Sequence, residues 1–205
     1  MTRKEEIIYA ALELASEFGM KAVSLAQIAD KISIKKPSLY NHFASKDEIV
    51  NEMYSVLREQ AQRRNPVTAE YSSLFEGRSL EEILTACVSG YIVFLSDKDM
   101  LTFFKVLYSE RCSSPAAAQI LVEETKRMID NTKALFYSLV VHGKMKNESV
   151  DTAAMSFALT VHSLVDRQMD MMTAKKESIS LTEVSGDMKE FIKWFSKQME
   201  VVKHA

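Results

Sequence analysis

Residues 33–48 read SIKKPSLYNHFASKDE, and they gather positive charge in a chain whose formal net charge is −2. Between Asp30 and Asp47 stand four lysines, Lys31, Lys35, Lys36 and Lys46, and no carboxylate. Among them lie Ser38, Tyr40, Asn41 and His42, all short or planar hydrogen-bonding side chains. Pro37 suits the first turn of a helix, where its missing N–H is not needed and its φ is already helical. Leu39 and Phe43 give that helix an inner side. Ser45 and Glu48 have the spacing of a capping box, which opens the next helix.

Upstream, Ile7, Ile8, Ala11, Leu14, Ala15 and Phe18 recur at three- and four-residue spacing, one face of a helix that Gly19 ends. Ser24 with Gln27 is another capping box, and Leu25, Ile28, Ala29 and Ile32 make the inner face of a short second helix. A brief turn at Ser33 and Ile34 leads into the Pro37 helix. Three short helices and the start of a fourth, with the second and third closely joined, are the helix-turn-helix arrangement. The spacing sets this domain at residues 1–48.

A third helix of about seven residues, roughly 10 Å long, can enter a DNA major groove by its N-terminal end. Lys35 and Lys36 there would meet phosphates or guanine edges. Ser38 and Asn41 would reach base edges, Asn being able to pair bidentately with adenine. Tyr40, His42 and Lys46 would hold the backbones, as would the helix starts at Ser24 and Ser45. Substituting Lys46 by alanine is then expected to flatten the salt dependence of binding by about one unit.

The fourth helix runs to about Arg64. NPVTAEYSSLFEGRS, from Asn65, mixes Pro, Gly and polar residues without period and reads as a linker. Ser79 with Glu82 caps a helix to about Leu95, Asp97 starts another through Leu107, and Ser114-Pro115 opens a long one to about Val141. Further helices are predicted from about Val150 to Ala174 and from about Asp187 to Lys203. No strand pattern outlasts a few residues, and five glycines with three prolines suit long helices rather than hairpins. The fold class is all-α, with residues 49–205 as a larger helical domain.

Composition narrows the function. Cys87 and Cys112 have neither C-x-x-C spacing nor neighbouring histidines, so neither a disulfide framework nor a zinc site is expected. No stretch approaches the roughly 20 apolar residues that span a bilayer, and the N-terminus lacks a signal-peptide core. A cytoplasmic protein with no membrane partner is the expectation. G-x-S-x-G, H-E-x-x-H, G-x-G-x-x-G and the P-loop pattern are all absent from the sequence, so no catalytic residue, metal or cofactor is assigned. A helical adaptor whose basic run serves an acidic protein is the rival to DNA binding.

Residues 3–50 resemble the DNA-binding domain of the TetR family of bacterial transcriptional repressors. Phe18-Gly19, Ser24 with Ile28-Ala29, Ser38-Leu39-Tyr40 with Phe43, and Ser45-Lys46 carry the likeness. Ser33 stands where the family usually has glycine, and Lys35 where it usually has serine. The resemblance implies phosphate contacts at Ser24, Tyr40, His42 and Lys46, with Lys36, Ser38 and Asn41 nearest the bases. It also implies a larger domain that binds a small effector and forms a homodimer on a palindromic operator.

In that larger part, Met188, Ile192, Phe195, Met199 and Val202 step by four, three, four, three, close to a heptad seam. Phe157, Val161 and Leu164 belong to a broad apolar face on the preceding helix. Both are read as a dimer interface. Tyr91, Phe94, Phe103, Phe104, Tyr108 and Met128 concentrate aromatic and sulfur surface and are candidate lining for an apolar effector, with His162 as a polar anchor. His162 and Asp166, one turn apart, have the spacing of a metal clip, but a solvated helix face or a capped core histidine is the commoner use of such a pair.

Overall fold

A computed structural model describes residues 1–64, 75–177 and 181–201, the side chains of Gln62 and Arg64 excepted. The described residues form nine helices. They are α1 (Arg3–Phe18), α2 (Leu25–Lys31), α3 (Lys36–Tyr40), α4 (Lys46–Arg64), α5 (Leu80–Leu95), α6 (Lys98–Glu110), α7 (Pro115–Val141), α8 (Val150–Ala174) and α9 (Gly186–Met199). The linker expected from Asn65 falls mostly on residues 65–74, outside the described residues, as does Val202 of the seam. The all-α expectation holds.

Caps explain most boundaries. Ser24 accepts from the Gln27 N–H while Gln27 reaches back to the Ser24 N–H, and Ser79 and Glu82 repeat the exchange. The N–H donated by Ser79 holds the Glu82 carboxyl below the usual carboxylate range. Asp97 caps α6 and Ser114 caps α7 through their side-chain oxygens. A further capping box, Thr2 with Glu5, begins α1.

The chain divides into two compact units, Met1–Pro66 with Asp97–Glu124, and Val67–Ser96 with Thr125–Ala205. In the first, α1 packs on α2, α4 and α6, α2 on α3, and α4 on α6. Its core includes Ile7, Ile8, Ile28, Leu39, Phe43, Met53, Leu57 and Phe103. This unit extends beyond residue 48 because the apolar side of α1 needs α4 and α6 as cover. Phe18 departs from the expected inner face. It lies at the last residue of α1 and is 54% exposed, while Met20 and Val23 of the following loop turn inward. Gly19 makes that turn with φ +77°, a backbone that side chains disfavour.

In the second unit α9 packs on α5 and α8. Phe136, Phe157 and Phe195 meet at ring-centroid separations of 4.9–5.6 Å. The loop after α7 is pinned to the end of α9, where Lys146 N–H donates to the Met199 carbonyl at 2.8 Å and Met145 bridges Glu200. Burial pushes the Cys87 thiol up to about 11, and Cys112 is exposed. Among the described residues no helix is long and apolar enough to cross a membrane.

The turn between α2 and α3 carries a measurable cost. Ser33 sits at φ +56°, with Ser33 N–H donating to Asp30 O and Ile34 N–H to Ala29 O. An L-residue loses roughly 1–2 kcal/mol in the left-handed region, and glycine is relieved of it at the expense of a more flexible unfolded chain. Ser33→Gly is therefore expected to stabilise the protein by about 0.5–1 kcal/mol in urea unfolding. A loss of stability would show that the serine hydroxyl, not the backbone, governs this position.

Candidate nucleic-acid interface

The segment from Ser33 to Glu48 is positioned by what it buries. Leu39 is fully buried and Phe43 nearly so, which fixes the rotation of α3 and turns Lys35, Lys36, Ser38 and Tyr40 to solvent. Pro37 lies in the first turn, with Lys35 as the cap residue. The helix is five residues long rather than seven, because the chain tightens after Tyr40: His42 N–H and Phe43 N–H both donate to Leu39 O. Asn41 and His42 thus stand in the turn that follows, Asn41 exposed and His42 half-buried. The Lys36 ammonium lies 5.8 Å from the centre of the Tyr40 ring, one helical turn away.

Charge is concentrated by local pairing. Lys31 is bound to Glu13 at 2.8 Å, whereas Lys35 and Lys36 form no ion pair with a described residue. An exposed row of two lysines, a serine, a tyrosine and an asparagine can donate to phosphate and read base edges.

Two candidates have other employment. The Ser24 hydroxyl is tied into its own cap, 2.8 Å from Gln27 Oε1. The Lys46 ammonium donates to the carbonyls of Met20 (2.7 Å), Val23 (3.0 Å) and Lys21 (3.4 Å). An ammonium has three hydrogens, so these carbonyls occupy all of them. Glu110, from α6, accepts the Lys21 N–H at 2.7 Å. Glu124 is buried and takes the Tyr54 hydroxyl and Arg58, both at 2.5 Å. Neither glutamate carries a local signal, since their partners lie 89, 70 and 66 residues away.

The seven residues assigned to an effector pocket fall in both units. Phe103, Phe104 and Tyr108 belong to the first, where Phe103 is fully buried and stacks near Tyr54 at 6.3 Å. Phe104 neighbours Tyr108 at 6.4 Å, and Arg111 lies over the Tyr108 ring. Phe103 and Phe104 are buried in the core of that unit, and Tyr108 is half-buried. Tyr91, Phe94, Met128 and His162 are in the second unit and half-buried. There the Tyr91 hydroxyl is 3.3 Å from His162 Nδ1, and His162 Nε2 is 3.8 Å from Asp166. Among the described residues no group of three or more His, Cys, Asp and Glu gathers as a metal site.

The dimer candidates are likewise mostly interior. Phe157, Val161, Met188, Ile192 and Phe195 are all buried within their own unit, and Leu164 and Met199 are half-buried. A seam-like stripe on a helix can face its own core as readily as a second chain. The outer sides of the same helices carry Met155, Leu159, Met171 and Trp194, each more than 40% exposed.

Residues 7–53 match the family model for bacterial regulatory proteins of the tetR family. Residues 82–197, more than half of the chain, match that for the AefR-like transcriptional repressor C-terminal domain. The HTH-type transcriptional repressor KstR2 of Mycobacterium tuberculosis (strain ATCC 25618 / H37Rv) is 40% identical over 52 residues, 25% of this chain and 26% of that protein. The tetracycline repressor protein class G of Vibrio anguillarum is 30% identical over 87 residues, 42% of this chain and 41% of its own. The match thus spans a quarter to two fifths of the length of these curated relatives. A crystal structure described as a TetR-family transcriptional regulator from Mesorhizobium loti MAFF303099 superposes with TM-score 0.73 at 20% identity, covering 98% of this chain and 100% of its own.

Proposed function

Because the chain belongs to the TetR family of bacterial transcriptional regulators, with a helix-turn-helix for DNA, we propose that it is a repressor: it occupies a palindromic operator as a homodimer and leaves when a small effector binds. The observation that carries this reading is the exposed row Lys35, Lys36, Ser38, Tyr40 and Asn41, held outward by buried Leu39 and Phe43. Residues 1–48 read DNA in this scheme, and residues 49–205 bind the effector and the second copy. Lys36, Ser38 and Asn41 face bases; Lys35, Tyr40, His42 and the α2 start at Ser24 meet the backbone.

A two-fold pair would place its α3 helices in successive major grooves, roughly 34–36 Å apart. The second copy is met by the outer sides of α8 and α9, with Met155, Leu159 and Trp194 at the centre. The effector is assigned to the second unit, near Tyr91, Phe94, Met128 and His162. It acts by binding more tightly to a dimer geometry that no longer spans the operator.

Selection of bound duplexes from a random pool at near-physiological salt tests this directly. An inverted repeat is the expected product, and retention that falls with salt without any enriched motif would leave a general polyanion surface instead. Asn41→Ala should relax discrimination at one base position, worth about 1–3 kcal/mol. Equal losses on every sequence would move Asn41 to the backbone. Trp194, the single tryptophan, reports on assembly: its emission should shift to shorter wavelength as protein concentration rises through the dimer constant.

A further inference from the structure

The loop between α1 and α2, residues 19–24, is held from two sides by charged groups that belong to neither helix. From α4 comes the Lys46 ammonium, bonded to three of the loop's carbonyls. From the last residue of α6 comes the Glu110 carboxylate, bonded to the Lys21 N–H at 2.7 Å. The same Oε1 lies 3.6 Å from where a Cβ would stand on Gly19, an ordinary contact distance that sets the carboxylate beside the turn. The Glu110 carbonyl in turn accepts the N–H groups of Ser113 and Ser114, which fixes the end of α6 that bears the carboxylate.

We propose that Lys46 and Glu110 are positioning residues for DNA reading: they clamp the α1–α2 loop from α4 and α6 and so set the angle at which α2 and α3 are presented, without either touching DNA. This rests on the DNA-reading function proposed above. Electrostatics distinguishes it from simpler roles. A lysine that meets phosphate contributes about one unit to the salt slope, and its removal lowers that slope. A carboxylate that merely lies near DNA repels phosphate, so its removal tightens binding. A clamp behaves differently in both respects. Removing either half loosens the loop without taking away a charge that contacts phosphate, so affinity falls while the slope stays.

The loop's other anchors are apolar or uncharged: Met20 and Val23 are buried, and Gly19 N–H donates to the Ala15 carbonyl. Its own main-chain bonds are the short turns Ala22 N–H to Gly19 O and Val23 N–H to Met20 O. Bonds to charged groups are about twice as strong as neutral ones. Side chains arriving from elsewhere in the first unit therefore add to the direct α1–α2 packing and the Lys31–Glu13 pair in placing α2 on α1.

The test uses the full chain and the duplex selected by wild-type protein. Lys46→Met keeps the apolar stem and removes the ammonium; Glu110→Ala removes the acceptor, and Glu110→Gln keeps one. Lys46→Met and Glu110→Ala are each expected to weaken operator binding about tenfold, the loss of a charge-assisted hydrogen bond. The salt slope should match wild type, and the Lys21 amide should exchange at least several-fold faster in Glu110→Ala. Glu110→Gln should restore both affinity and protection. A slope lower by about one for Lys46→Met overturns the assignment and makes Lys46 a phosphate contact. Glu110→Ala binding as tightly as wild type, or tighter, overturns the clamp. If wild-type protein selects no repeat at all, the DNA-reading function itself fails, an outcome separate from either of these.

Discussion

Replacing Glu124 with alanine should lower the unfolding free energy by about 3–5 kcal/mol, the range for removing one partner of a buried ion pair. The Glu124 side chain is 9% exposed and that of Arg58 14%, so little water screens either. The same carboxylate oxygen also takes the Tyr54 hydroxyl. Alanine leaves a guanidinium and a phenol that were desolvated for a partner no longer present. The neighbouring Glu123 supplies the control, because it is exposed and, among the described residues, bonds only Gln119, so Glu123→Ala should change stability by less than about 0.5 kcal/mol. Denaturant unfolding measures both. A Glu124→Ala loss below 1 kcal/mol would mean that water or a rearranged Arg58 solvates the site. A paired change, Glu124→Met with Arg58→Met, should recover much of the loss, since apolar groups of similar volume can replace a buried pair at little cost.

The second large effect is expected at Phe157→Ala, also about 3–5 kcal/mol. Phe157 is 4% exposed, and its ring lies within 4.9–5.6 Å of Phe136, Phe191 and Phe195. Truncation removes a ring from between α7 and α9 and leaves a cavity that these helices cannot fully collapse to fill. Its dependence on protein concentration is the informative part. A core residue costs the same at every concentration, whereas an interface residue costs more where the dimer prevails. Phe157→Ala should show the first pattern and Trp194→Ala, at the exposed edge of the same aromatic group, the second. The reverse result would return the seam to the surface between two chains.

These two residues mark what local pattern can and cannot convey. Ser24, Ser79, Asp97 and Ser114 announced their helices because a cap is a contract between residues three apart. Leu39 and Phe43 declared which way α3 faces for the same reason, and with it the exposed row of possible DNA contacts. Periodicity in α8 and α9 was equally plain, yet it states only that one side is apolar, not whether the chain's own core or a second chain covers it. The same ambiguity holds for Phe103 and Phe104, whose burial fits core packing and pocket lining alike. The bonds that Glu110, Glu124 and Lys46 make to distant partners were out of reach. Each depends on partners between 23 and 89 residues away, and a charged residue on a helix carries no mark of which distant backbone it will meet.

The first unit is assembled from two separated stretches of chain, and this orders events during synthesis. When Pro66 has been made, α1 to α4 exist, but the cover that Met100, Phe103 and Leu107 give them does not. The 58 residues from Pro66 to Glu124 take roughly 3–12 s at ordinary translation rates of about 5–20 residues per second. Through that interval the nascent amino-terminal segment carries an apolar flank with nothing yet to close it. It is then a natural client for a holding chaperone, and a fragment ending at residue 66 would inherit that condition permanently.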